Sequence, residues 1–372
     1  MNTLMISLFQ CALAQSDGDP ISIGEYKILH SDILDEDRLI TIHLPDGYED
    51  SGLSYPVIYL SYGDRIEQYF AEATSIVHNL TEIGPKVILI GIDERNLRYR
   101  DLLPLAQDGS ATGIDTFTNY LTKELIPHVK ANYRTKEYRI FVGPQVGANF
   151  GLYTLFQNPD LFDAYILNNP FRWKAGRELL FENIRSYISG SASLNKFLFI
   201  THHDENELEV EGNAYIEEFK EIIRSANLEG FDAHFNFLEN RYSYTIGLRK
   251  ALKLLFNDYV IPKDRVVNDL QGLINYYSEL SRKLGYEVDI PERTLAEKSD
   301  QLMETKEYEK VEELLKHAET IYPNGFNALW RFGNLYRVQG NKDAAISYYR
   351  KVMELYPWIA ENAQKYIDEL SK

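Results

Sequence analysis

What most restricts the folds open to this chain is the alternation of short apolar runs with segments of helical spacing, which extends from Ser22 to about Asp258. The runs Leu39–Leu44, Val57–Leu60, Val87–Ile92, Tyr138–Val142, Ala164–Leu167, Lys196–Ile200 and Ala233–Leu238 read as strands. Several are apolar throughout, which suits strands covered on both faces. Between them, Ile114–Asn132, Ala148–Phe156, Asn213–Ala226 and Tyr244–Phe256 carry helical spacing. Strands alternating with helices predict an α/β domain over 22–258, a mostly parallel, doubly wound sheet with helices on both faces.

Pro262-Lys263-Asp264 ends the alternation, and everything after it reads as helix. This tail repeats. Tyr322-Pro323 recurs as Tyr356-Pro357 after 34 residues, and Val311/Ala345, Leu315/Tyr349 and Ala318/Val352 keep the same offset. Leu329, Gly333, Tyr336, Gly340, Ala345, Tyr349 and Pro357 fall at the spacing of a tetratricopeptide repeat (TPR). Small residues there let paired helices approach, and Pro ends the second helix. The expected division is a helical linker over 264–294 and TPR-like repeats over 295–372, closed by a capping helix at 358–370. Such repeats serve protein contacts, so a protein partner is expected for the tail.

The 372 residues carry 39 Lys+Arg against 56 Asp+Glu, a net charge of −17. A surface so acidic repels phosphate backbones and anionic membranes, and no basic block offsets it, so nucleic acid is excluded as a partner. Near the start, Thr3–Ala14 is an apolar run ending in Ala12-Leu13-Ala14 and followed by polar Ser16-Asp17-Gly18-Asp19. This reads as a signal peptide over residues 1–14, too short to span a bilayer, and implies export to a bacterial periplasm or the exterior. Cleavage after Ala14 would remove Cys11, the single cysteine, and with it any thiol nucleophile or thiolate metal site.

Ligands of doubly wound sheets bind at the carboxyl ends of the strands. The junction that matters is Ile140-Phe141-Val142-Gly143-Pro144-Gln145-Val146-Gly147-Ala148, an apolar strand, a Gly-x-x-x-Gly turn and a small-residue helix start. That is the frame of a nucleophile elbow, whose central residue should be Ser, Cys or Asp. Here it is Gln145.

With this frame, the 22–256 segment resembles the putative esterase family of α/β-hydrolases, which includes esterase D and enterochelin-esterase-like proteins. The resemblance rests on Leu44-Pro45-Asp46-Gly47-Tyr48, Tyr55-Pro56-Val57-Ile58-Tyr59-Leu60, Arg98-Tyr99-Arg100-Asp101-Leu102-Leu103-Pro104, Glu124-Leu125-Ile126-Pro127, Asn158-Pro159-Asp160-Leu161-Phe162 and Pro170 with Trp173. Some members of that family also carry TPRs. The resemblance implies an α/β-hydrolase fold and carboxylic ester hydrolysis by a Ser-His-acid triad. Two triad positions depart from it. Gln145 stands for the serine, and a carboxamide is no nucleophile near neutral pH. Within Glu239-Asn240-Arg241-Tyr242-Ser243, Arg241 stands for the histidine, and an arginine stays protonated and cannot act as base. The acid position falls near Asp204 or Glu205, after the strand ending at Ile200. No catalytic set is expected to be intact, and no cofactor or metal is implied.

The resemblance leaves a pocket at the elbow, with Gly63, Tyr62, Val146, Arg98, Arg100, Trp173 and Arg241 as candidate lining. Tyr62 is expected to fill its mouth. Arginines with aromatics suit a carboxylate or a planar, ester-like ligand. Arg98, Arg100 and Asp101 also read as an ion-paired support around the site. An enzyme with an unconventional nucleophile is the alternative, and Ser61, Ser110 and Ser243 are its best placed hydroxyls. His202-His203-Asp204-Glu205 reads as a solvated strand-end loop, because adjacent histidines on an extended chain face opposite ways and rarely share an ion. His234 reads as an edge or packed residue of its strand, and Asn79-Leu80-Thr81 is a formal glycosylation triplet.

Overall fold

The computed structural model describes residues 22–49, 51–80, 83–238, 243–263 and 265–372. Eight strands form one sheet in the order β1-β2-β4-β3-β5-β6-β7-β8. They are β1 (Glu25–Ser31), β2 (Glu36–His43), β3 (Tyr55–Leu60), β4 (Ile88–Ile92), β5 (Thr135–Pro144), β6 (Ala164–Asn168), β7 (Phe197–His202) and β8 (Asp232–Phe237). β2 is antiparallel to both β1 and β4, and every other pairing is parallel. β3, β4, β6 and β7 are buried at every position, as strands covered on both faces, including the polar ends Asn168 of β6 and Thr201-His202 of β7.

Helices cover both faces: α1 (Ala71–Leu80), α2 (Arg98–Asp101), α3 (Ile114–Tyr120), α4 (Ile126–Asn132), α5 (Val146–Gln157), α6 (Arg177–Gly190), α7 (Glu207–Ala226) and α8 (Ser243–Leu255). A π-type turn at Leu121–Leu125 joins α3 to α4 within the expected 114–132 helix. The sequence reading lacked β1, α1 and α6. β1 is an edge strand with Tyr26 and Ile28 exposed, so its pattern never becomes an apolar run. The fold is an α/β sheet domain, as expected.

The remaining helices are α9 (Leu270–Leu284), α10 (Glu292–Glu304), α11 (Tyr308–Ile321), α12 (Phe326–Val338), α13 (Lys342–Leu355) and α14 (Ala360–Leu370). Asp269 caps α9 by accepting from Gly272 N–H at 2.8 Å. The expected 264–294 linker is not helical throughout. Between α9 and α10 the chain lays Tyr286, Val288 and Ile290 into the core, and Lys136 at the start of β5 bridges Asp289 at 2.9 Å. One apolar core therefore runs from Ile40 in the sheet to Leu335 in α12. A second, small core at Ala345, Tyr349, Ala363 and Ile367 holds α13 and α14. Among the described residues, no helix is long and apolar enough to cross a membrane.

Candidate functional site

β5 ends at Pro144, and α5 begins at Val146, so one residue makes the turn between them. That residue, Gln145, has φ 52° and ψ −113°, outside the regions an L side chain normally occupies. Its N–H donates to Asn168 O at 2.8 Å, and its carbonyl accepts from Ala148 N–H at 3.0 Å. The flanking glycines allow the approach. A Cβ at Gly143 would stand 2.5 Å from Gly147 O, and one at Gly147 would collide with the Ser61 hydroxyl. The elbow expected from Gly-x-x-x-Gly is therefore formed, with an amide at its tip.

The Gln145 amide Nε2 donates to Tyr69 Oη at 3.4 Å. The Tyr69 ring meets Tyr62 edge-on at 5.6 Å and Tyr244 at 4.7 Å. Burial pushes the Tyr69 phenol pKa up, while Arg65, Arg172 and Arg98 pull it down. Tyr62 has a positive φ of 64°, and its ring lies under Arg98 at 4.3 Å. Arg98 Nη2 reaches both Asp64 oxygens, at 2.9 and 3.1 Å. Trp173 meets Tyr99 edge-on at 5.1 Å, with the Arg172 guanidinium 5.8 Å over its ring.

The expected lining divides. Tyr62 and Arg98 lie beside Tyr69 at the elbow, and Trp173 lies further out, against Tyr99. Gly63 instead lies in the wall, its N–H donating to Ile92 O at 2.7 Å. The Val146 side chain is fully buried, so this residue offers only its backbone N–H, a first-turn donor without an intrahelical acceptor. Arg100 turns away: it holds Glu36 Oε1 at 2.6 Å and Asp101 Oδ1 at 2.6 Å. Asp101 is wholly buried and also binds Arg38, so Arg100 and Asp101 form the ion-paired support. Arg241 lies outside the described residues, as do the proposed signal peptide with Cys11 and part of the Asn79-Leu80-Thr81 triplet.

Beyond β7, the expectation of a solvated loop fails for the histidines. His202 and His203 are both buried. Each has its own partner on α7: His202 Nδ1 is 2.9 Å from Asn213 Oδ1, and His203 Nε2 is 3.2 Å from Glu209 Oε1. Asp204 and Glu205 are exposed, and the buried carboxylate here is Glu209. Arg172 Nη1 lies 3.8 Å from Glu209 Oε1. Sequence reasoning missed Arg172 and Glu209. The adjacency of Arg172 to Trp173 and the place of Glu209 in the first turn of α7 were their only signals. His234 sits on edge strand β8 against Phe197, at 5.6 Å. Among the described residues, no group of three His, Cys, Asp or Glu side chains is placed to hold a metal ion.

The unconventional nucleophiles fare unequally. Ser61 is fully buried beneath Gly147, its Oγ 3.3 Å from Glu94 Oε2. Ser110 is exposed and donates to Asp108 Oδ1 at 2.6 Å, a local turn contact with a weakly basic carboxylate whose pKa that hydrogen bond lowers further. Ser243 opens α8. Glu94 is itself notable. It is 1% exposed, accepts from Tyr62 N–H at 2.7 Å, and burial pushes its carboxyl pKa up to about 8.

The family described as "Putative esterase" matches residues 31–237. Among solved structures, an IroE-like serine hydrolase from Shewanella oneidensis is 24% identical with a TM-score of 0.68, covering 79% of this chain and 99% of its own. An uncharacterised protein from Capnocytophaga ochracea is 17% identical with a TM-score of 0.58, covering 94% and 99%. The siderophore hydrolase EstB from Aspergillus nidulans is 18% identical with a TM-score of 0.54, covering 67% and 100%. At such identities these structures show the fold. No curated protein matches the chain.

Proposed function

The chain belongs to the putative esterase family, and from that premise we propose that it has lost Ser-His-acid catalysis and acts as an exported ligand-binding protein. Its helical tail is the proposed interaction region. The carrying observation is Gln145, which holds the strained elbow conformation of a nucleophile yet ends in a carboxamide. Arg241 at the histidine position supports the same reading, because a guanidinium cannot accept the proton. The 34-residue offset from α10 to α12 and from α11 to α13 supports the TPR reading of the tail. Export rests on the Ala12-Leu13-Ala14 sequence alone.

The competing reading keeps a carboxylic ester hydrolase with a non-standard nucleophile. Ser61 serves it badly, sealed under the elbow, and Ser110 has only the weakly basic Asp108 carboxylate beside it. Assays on short p-nitrophenyl esters separate the two. The wild-type chain should show no turnover above buffer. Robust turnover abolished by changing one serine would overturn the proposal. The Gln145→Ser/Arg241→His variant, assayed alongside, asks whether the retained frame can still support acyl transfer.

A further inference from the structure

Three N–H donors at the elbow are buried and lack any acceptor among the described residues: Arg98 Nε, Arg172 Nε and Trp173 Nε1. Buried donors are nearly always paired, so three near the elbow are open to an acceptor beyond those of the described residues. Their common location follows from contacts already given. Arg98 lies over Tyr62, whose ring meets Tyr69, and the next residue, Tyr99, meets Trp173, over whose ring Arg172 lies.

The charges favour an anion. Asp64 alone answers Arg98, at 2.9 Å, and Arg65, at 4.0 Å. Glu209 answers Arg172 only at 3.8 Å and is closer to His203, at 3.2 Å. Among the described residues the ion pairs of these three guanidiniums run to two carboxylates, while Glu72, the other carboxylate acting on Tyr69, is held by the Thr245 hydroxyl. Glu94 adds no charge near neutral pH, since burial holds its proton. A carboxylate offers about four lone-pair sites in a plane, enough for three N–H donors, whereas an ester carbonyl offers two and no charge. The exposed Tyr99 ring and the Trp173 ring it meets would flank an apolar body, over the buried Tyr62 and Tyr69.

Resting on the binding role proposed above, we infer that the elbow is a receptor for a planar, apolar monocarboxylate, held by the Nε–H groups of Arg98 and Arg172 and the indole N–H of Trp173. It would recognise an acid in preference to its ester, the reverse of what an esterase requires of a substrate.

Isothermal titration of the full chain with 2-naphthoate, methyl 2-naphthoate and inorganic phosphate tests this. The acid should bind at least about tenfold more tightly than its ester, as expected for charge-assisted hydrogen bonds lost on esterification. Arg172→Gln should weaken naphthoate by about tenfold, and Trp173→Phe, which keeps a ring and removes the N–H, by a few-fold. Circular dichroism confirms that each variant is folded, and Trp173→Phe carries the test should Arg172→Gln not fold. Equal binding of acid and ester, unaffected by Trp173→Phe, would sink the carboxylate inference and leave a binding role standing. Phosphate displacing naphthoate at equal concentration would overturn the choice of a planar carboxylate. No heat from any probe would overturn the site. Conversion of the methyl ester to the acid during titration would instead refute the loss of catalysis.

Discussion

Replacing Glu94 with Gln should stabilise the protein, and do so increasingly as pH rises. Glu94 is 1% exposed, and Asp64 and Asp101 add to the burial that keeps its proton, with Arg98 opposing them. In the folded chain the carboxyl titrates near 8, against an ordinary value of 4.5 once unfolded. Between those values the folded chain binds the extra proton, so stability falls as pH rises from 4.5 and levels off above 8. At about 1.4 kcal/mol per pH unit, this group costs the fold about 3 kcal/mol at pH 7 and about 5 kcal/mol at pH 9. The Gln amide oxygen can still accept from Tyr62 N–H and Ser61 Oγ, and its NH2 replaces Oε1, which has no partner to lose. Urea denaturation of both proteins at pH 5, 7 and 9 gives the comparison. All other titrating groups cancel in the difference, which should grow from under about 1 kcal/mol at pH 5 to several kcal/mol at pH 9. A difference that is the same at pH 5 and pH 9 would refute the buried neutral acid.

Gly147→Ala should destabilise the fold by about 1–3 kcal/mol, because the added methyl meets Ser61 Oγ and Cβ, the latter at 2.9 Å. Much of that loss should return in Ser61→Gly/Gly147→Ala, read by denaturation in a double-mutant cycle. Gln145→Gly should raise stability by about 1 kcal/mol by releasing the strained backbone at φ 52°, offset in part by the freer unfolded chain; a thermal melt reads the sign. Tyr349→Ala should cost about 3–5 kcal/mol locally, since this ring is fully buried in the small core of α13 and α14. Hydrogen exchange should then accelerate in α13 and α14 while β3–β7 keep their protection.

The fold was legible where one element carries its own signal. Val87–Ile92 and Ala164–Leu167 are apolar throughout because neighbours cover both faces, and that burial needs no knowledge of which neighbours. β1 was not legible, since its stability comes from pairing with β2 and two of its large apolar side chains face solvent. The site divided along the same line. Gly143, Gln145 and Gly147 sit on one continuous turn, so their spacing announces the elbow. Arg172 and Glu209 belong to different connections after β6 and β7, and only the parallel sheet brings those strand ends together. His202-His203 misled for a related reason: a polar, charged stretch reads as solvated, yet Asn169 and Glu209 bury His203 by satisfying its polar groups.

That the elbow keeps its shape with Gln145 at its tip has a mechanical explanation. Gly147 is packed on Ser61, Ser61 and the Tyr62 N–H are tied to Glu94, and Tyr62 leans on Tyr69, which takes the Gln145 amide. Each link is a packing or hydrogen-bonding constraint that works whether residue 145 ends in a hydroxyl or an amide. The strain at Gln145 is therefore held by its surroundings and does not need catalysis to sustain it. Chemistry can leave such a site by one side chain at a time, whereas the frame would have to be dismantled at several positions at once. A strained turn is accordingly good evidence for the family and weak evidence for its reaction. The reaction is decided by the atoms presented at the turn, here the Gln145 carboxamide.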